Sequence, residues 1–168
     1  MEFDDVIRKR FSVRKFSDKK VEKEKIEQIL EAGRLAPTAK NLQPIKIYVV
    51  ESKEGLEKVD RASRCRYNAP VVLLVCGLSD IAFHKEGHLM YEMDASIVST
   101  HMMLEATNVG VDSIWIELFD EDVLKKEFSL PKGVEPVCLI PLGYKSDDCI
   151  PGPMHAVRKR LDELVEYR

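Results

Sequence analysis

Eight apolar residues stand in a row in the middle of the chain, Ala69-Pro70-Val71-Val72-Leu73-Leu74-Val75-Cys76. Successive side chains of a strand point to opposite faces, so a strand with one wet face alternates apolar and polar residues. Residues 70–76 do not alternate, and this predicts a short strand buried on both faces. The fold must therefore cover a sheet from two sides. At eight residues the run is far short of the roughly 20 that cross a membrane.

The remaining elements follow from periodicity and punctuation. Residues 3–9 suit a short helix. Residues 21–35 form a longer one, with Ile26, Ile29, Leu30 and Gly33 on one face, and Pro37 ends it. Residues 45–50 have strand composition. Ser52 caps a helix over 53–62 with Leu56 and Val59 inward. Residues 79–90 break the pattern and read as a loop with a helical turn. Residues 90–108 are the strongest helix, closed by Gly110 as a left-handed cap. A strand over 113–118, a helix over 121–128 and a strand over 137–142 follow. Pro141, Pro151 and Pro153 then lead a tail into a last short helix from Leu161. Taken alone, this alternation of strands and helices suggests a parallel α/β sheet.

The helix over 90–108 carries a second constraint. Between Ala95 and Thr107 its only formal charge is Glu105. A helix so poor in charge is buried on most sides, in the core or against another subunit. A chain of 168 residues with 45% apolar content is one domain, residues 1–168, and has little to spare for that cover. A homodimer is the expectation. The N-terminus shows no charged-then-apolar signal pattern, so the chain is expected to be soluble and cytoplasmic. Cys65, Cys76, Cys138 and Cys149 form no C-x-x-C pair, which leaves an iron–sulfur or zinc site without support. Cys76 and Cys138 fall in apolar runs and belong to the core.

The net charge of -3 argues against a general nucleic-acid binder, yet five of the eight residues from Arg8 to Lys15 are basic. Phe11, Val13 and Phe16 interleave that run, as a purely solvated patch would not require. In an extended segment Arg10, Ser12 and Arg14 point to one side. Two guanidiniums and a hydroxyl there can hold a phosphate through charge-assisted bonds. The chain has neither G-x-G-x-x-G nor a Walker motif, so a phosphate-bearing ligand must rely on side-chain cations. Arg158 and Lys159 are a second source. The segment Leu35-Ala36-Pro37-Thr38-Ala39-Lys40-Asn41-Leu42-Gln43-Pro44 ends a helix with short polar groups, suited to the edge of a flat heterocycle.

Other candidates carry less. His84 and His88, spaced i, i+4, could share a metal on a helix, but Gly87 weakens that helix and no third ligand is evident, so no metal is expected. His101 reads as a hydrogen-bonded core or interface residue. Asp94 reads as a cap or a partner for a cation. No Ser-His-Asp order and no pair of hydrolytic carboxylates stands out.

Together these segments resemble the short members of the FMN-dependent nitroreductase family. The resemblance rests on Arg8-Lys9-Arg10-Phe11-Ser12-Val13-Arg14, on the Pro37-to-Pro44 pattern, on residues 94–106 and on Arg158-Lys159-Arg160-Leu161-Asp162-Glu163. It implies an α+β fold, not α/β: a mixed, mainly antiparallel sheet flanked by helices, in a dimer. It implies FMN as cofactor, with Arg10, Phe11, Ser12, Arg14 and Arg158 around the phosphate. Pro37, Thr38 and Asn41 would reach the flavin from the partner subunit, and Asn68 would contact the ring. The backbone of Trp115, Glu117 and Leu118 would lie beside the reactive flavin nitrogen, where an N–H stabilises negative charge on the reduced ring. Lys40 departs from the small residue usual at its position and adds charge at the mouth of the site. Glu117-Leu118 replaces a stretch in which relatives often have Gly.

The activity so implied is electron transfer from NAD(P)H to a nitroaromatic, quinone or similar electron-poor acceptor. The two substrates would use one flavin face in turn, by a ping-pong mechanism, with residues 80–90 on the rim. Water can supply protons, so no catalytic side chain is assigned. The alternative is a flavin-binding carrier or sensor without turnover, which a ring face blocked by Glu117-Leu118 would produce.

Overall fold

A computed structural model describes residues 1–168. Its order is α1 (Phe3–Lys9), α2 (Lys23–Arg34), β1 (Ile45–Val50), α3 (Lys53–Ala62), β2 (Val71–Leu78), β3 (His84–Lys85), β4 (His88–Leu89), α4 (Tyr91–Asn108), β5 (Asp112–Ser113), α5 (Glu121–Glu127) and β6 (Val134–Gly143). Four strands pair in the order β1-β2-β6-β5, each with its neighbour antiparallel. The parallel sheet suggested by alternation alone is therefore wrong, and the α+β expectation holds. Periodicity reports which faces of a strand are buried, not which way its neighbour runs. A parallel contact survives only as the isolated bridge between Ser12 and Ser113.

β2 lies inside the sheet, and its side chains divide between two cores. Val71, Leu73 and Val75 pack with Ile26 and Ile29 of α2 and Val98 and Met102 of α4. Val72, Leu74 and Cys76 pack on the other face with Val59 of α3, Leu124 of α5 and Val13. Both faces are dry, which is why residues 70–76 show no alternation. α2 and α4 meet at Gly33, where an added Cβ would lie 2.7 Å from Met102 Cγ. Ser52 caps α3 by accepting from the Gly55 N–H at 3.1 Å. α4 ends in a Schellman motif: the Val111 N–H donates to Ala106 and that of Gly110, at φ 74°, to Thr107.

The structure corrects four local expectations. Pro141 does not open the tail but sits inside β6, paired in register with Val72. Its carbonyl accepts from Ile114 on the β5 side, so its missing N–H falls on that side too. That explains the second correction, because the expected strand over 113–118 is a ladder only at Asp112–Ser113. It resumes as a single bridge between Ile116 and Leu139, one donor having been lost at Pro141. Third, residues 84–89 form a hairpin, not a helical turn. Glu86 and Gly87 both take positive φ, 51° and 86°, as a two-residue hairpin turn requires. Fourth, the expected last helix is one 3₁₀ turn over Leu161–Glu163, and Leu161, Leu164 and Tyr167 stay exposed, so nothing on this chain pays for a longer helix.

α4 buries Ala95, Val98, Ser99, Met102, Met103 and Ala106 on its inner side. Its outer side leaves Met93 61% and Ile97 39% exposed. His101 lies on this outer side, its Nδ1 2.9 Å from the Ile97 carbonyl, so it is not a core residue of this chain. No helix is long and apolar enough to cross a membrane.

Candidate functional site

The basic N-terminal segment becomes a site because alternation splits it. Val13 and Phe16 turn inward and are buried. The Val13 N–H donates to the Ser113 carbonyl at 3.2 Å, which pins the segment beside β5. Arg10, at the end of α1, together with Ser12 and Arg14 is thereby left on the open side. The C-terminal tail is tied to the same segment: the Ser17 N–H donates to Tyr144, that of Ser146 donates to Lys15, and Lys15 pairs with Asp148. These bonds carry residues 152–158 across the basic segment.

Arg10, Phe11, Ser12, Arg14, Gly152, His155 and Arg158 then line one cleft of about 350 Å³. No carboxylate lines it, and none of its three arginines takes part in an ion pair. Burial first, and the charge of Arg158 second, push the Arg10 guanidinium below its ordinary value. Like charges held together without a counter-charge suit an anionic ligand with several acceptor oxygens. Phe11 meets the His155 ring edge-on, with centroids 6.0 Å apart. Lys159, the other cation named from the sequence, does not line the cleft. His155 was missed, because nothing in the tail's spacing marks it.

The loop before β2 borders this cleft on the Arg14 side. The Phe16 N–H donates to the Tyr67 carbonyl at 3.3 Å. Tyr67 and Asn68 take positive φ, 55° and 63°, and Asn68 is exposed. Burial pushes the Tyr67 phenol up, the Cys65 thiol adds to that, and Arg14 acts in the opposite sense. Tyr67 is thus a neighbour of the arginine cluster that sequence reasoning passed over.

Thr38 and Asn41 are in a different place, on a tight turn between α2 and β1. Lys40, Asn41 and Gln43 all have left-handed φ, 51°, 54° and 51°. Asn tolerates that conformation, whereas for Lys and Gln it costs on the order of 1 kcal/mol each. The Thr38 hydroxyl accepts from the Gln43 N–H at 3.0 Å, and Gln43 Nε2 donates to the Asn41 carbonyl at 3.1 Å. The Ala39 N–H donates to Asp94 Oδ1 of α4 at 2.8 Å. Asp94 therefore neither caps its own helix nor pairs with a cation, contrary to expectation. Thr38 and Gln43 line a second cleft, of about 360 Å³, with Gly33, Ile45, Ile47 and Val98. Pro37 and Asn41 are exposed. Within one chain, Pro37, Thr38 and Asn41 do not share the arginine cleft.

The hairpin stands beside this turn. The Leu78 N–H donates to the Pro44 carbonyl at 2.8 Å, and Lys40 Nζ sits 4.5 Å from the Phe83 ring centroid. His84 and His88 lie on opposite strands of the hairpin rather than one helix face, and no three His, Cys, Asp or Glu side chains gather to hold a metal. In the segment after β5, Trp115 Nε1 donates to Glu117 Oε1 at 2.9 Å. Leu118 is 77% exposed, while its carbonyl accepts from the buried Ser63 hydroxyl at 2.7 Å. Trp115 is half-buried against the core, so a structural role and a place beside a ligand are compatible.

The profile of the Nitroreductase family matches residues 7–70 and 66–144. A crystal structure of a nitroreductase family protein from Clostridium difficile 630 is 40% identical, superposes with a TM-score of 0.93, and matches over 99% of this chain and 98% of that one. A protein of Archaeoglobus fulgidus that carries the provisional name NADH dehydrogenase/NAD(P)H nitroreductase is 30% identical over 146 residues, 83% of each chain. A provisionally named nitroreductase of Exiguobacterium sibiricum, crystallised in complex with FMN, shares the fold at 22% identity, with a TM-score of 0.83 over 100% of this chain and 98% of that one.

Proposed function

The chain belongs to the nitroreductase family and is an NAD(P)H-dependent FMN oxidoreductase; we propose that it works as a cytoplasmic homodimer that passes electrons to quinones, nitroaromatics or similar electron-poor acceptors. The observation that carries this reading is the cleft holding Arg10, Arg14 and Arg158 without a single carboxylate. That donor set fits the phosphate of FMN. FMN, when bound, supplies the two-electron redox chemistry, taking hydride from NAD(P)H and passing electrons to the acceptor.

The protein's part is to bind, orient and expose. Arg10, Arg14, Arg158 and the Ser12 hydroxyl hold the phosphate, with Phe11 shaping the wall. Asn68 approaches the ring from the loop beside Arg14. Pro37, Thr38 and Asn41 of the partner subunit would meet the heterocycle's polar edge, because within one chain none of them lines the arginine cleft. The outer side of α4, with Met93 and Ile97 uncovered, supports pairing of two copies. The backbone of Trp115, Glu117 and Leu118 would lie along the ring, with the Glu117 carboxylate accepting from the Trp115 indole N–H. With one face open, donor and acceptor occupy it in turn, and each protomer is a single domain spanning 1–168.

Steady-state oxidation of NADH and NADPH, with a quinone as acceptor, tests the reading. Flavin-dependent turnover supports it. A yellow protein without turnover would instead be a flavin carrier, and a colourless one that gains no FMN would refute the site.

A further inference from the structure

The geometry assigns Asp94 as the positioning residue for the turn that carries Thr38 and Asn41, an inference that rests on the flavin reading above. Asp94 lies in the first turn of α4 and is only 3% exposed. A buried carboxyl group needs partners, and it has one: Oδ1 accepts the Ala39 N–H at 2.8 Å. Oδ2 is buried and has no hydrogen-bond partner on the chain. The group is thus held at the turn despite incomplete satisfaction, which a purely structural position in a core would select against.

The turn needs an external hold. Lys40, Asn41 and Gln43 take left-handed φ without a glycine among them. Its other hydrogen bonds are local: the Asn41 N–H to Thr38, the Leu42 N–H to Ala39, the Gln43 N–H to the Thr38 hydroxyl, Gln43 Nε2 to Asn41 and the Ile45 N–H to Gln43. The Asp94 bond alone ties residues 38–43 by hydrogen bonding to a distant element. Strained backbone persists where its surroundings over-determine it, and such strain gathers at ligand-binding positions. Asp94 is buried, while its chain neighbour Met93 stands on the uncovered side of α4, so the Asp94 bond fixes the turn relative to the proposed subunit interface. Asp94 touches neither FMN nor substrate. It sets where Thr38 and Asn41 stand.

The test compares Asp94→Ala with Asp94→Asn, which keeps an oxygen for the Ala39 N–H. FMN affinity is read by fluorescence titration, and the visible spectrum of bound flavin at saturation reports the environment of the ring edge. Asp94→Ala should bind FMN about ten-fold more weakly, with its bound spectrum moved toward that of free FMN, while the arginine cleft still holds the phosphate. Asp94→Asn should stay within about three-fold of the native protein. Adding Lys40→Gly to Asp94→Ala should recover part of the affinity, because glycine takes positive φ freely.

Should Asp94→Ala fail to fold, Ala39→Pro removes the same bond from the other side. Ala39 opens a 3₁₀ turn after an extended Thr38 at φ -133°, ψ 159°, a setting that accepts proline. It should weaken FMN binding in the same way. Native affinity and spectrum in Asp94→Ala, or in Ala39→Pro where that stands in for it, or an Asp94→Asn as impaired as Asp94→Ala, would overturn the assignment. If the native protein itself takes up no FMN, the flavin reading fails and not merely the role of Asp94.

Discussion

Arg10 and Arg158, from opposite ends of the chain, face one cleft, where burial first and the charge of Arg158 second lower the proton affinity of Arg10. No carboxylate in the cleft offsets that repulsion, and the phosphate of FMN is the counter-charge we propose for it. Arg10→Ala and Arg158→Ala should each lose roughly 1.5–3 kcal/mol of FMN binding, about 10- to 150-fold in Kd by flavin fluorescence titration. Unchanged affinity in both would remove the phosphate assignment. Added salt should weaken the native interaction, because charge–charge attraction at a partly open cleft is screened.

The outer side of α4 gives a prediction about assembly. Ile97→Glu places a charge beside Met93 on the proposed subunit interface, and sedimentation at low micromolar concentration should then report monomers. FMN should leave with the partner, because Thr38 and Asn41 are expected across the interface. A monomer that keeps its flavin at native affinity would contradict the two-chain site.

Lys40 and Phe83 link the turn to the hairpin at a cation–π distance of 4.5 Å. Such a contact at an exposed site contributes about 0.5–1 kcal/mol. Phe83→Ala should therefore loosen the hairpin, raising the acceptor KM a few-fold while FMN affinity holds. Release of the flavin instead would place the hairpin in the cofactor site. With the native protein, initial rates over a grid of NAD(P)H and quinone concentrations should give parallel double-reciprocal lines, and intersecting lines would mean that both substrates bind at once.

Burial pushes the Cys76 and Cys138 thiols up to about 12. A raised thiol pKa means less thiolate at any pH below it, so at pH 8 only about one in ten thousand of each is reactive, against roughly a quarter of a free cysteine. Iodoacetamide at pH 8 should label Cys65, which is partly exposed, and reach Cys76 and Cys138 only after denaturation. Peptide mass mapping reads the outcome, and fast labelling of Cys138 in the native protein would mean that the core opens.

Much of the fold was legible because its signals are local. The doubly buried β2, the Ser52 cap and the Gly110 terminus each follow from a few adjacent residues. Strand direction was not legible, since a strand dry on both faces looks the same in either sheet type. The hairpin was missed because its strands are two residues long, too short for any period to show. The arginine cleft could be anticipated from charge spacing, but His155 lines it through the tail and Tyr67 neighbours Arg14 through a loop, and neither segment leaves a pattern. Asp94 shows the same limit, because its partner Ala39 is a backbone N–H that the sequence does not mark.

The central claim is that one bound flavin is reduced by NAD(P)H and then reoxidised by an electron-poor acceptor. Anaerobic addition of NADH or NADPH to the purified, flavin-loaded protein tests both halves in one cuvette. With one equivalent of nucleotide the oxidised-flavin band should bleach, and it should return in full when one equivalent of quinone follows. A band that persists with both nucleotides, in protein shown to hold FMN, would contradict it.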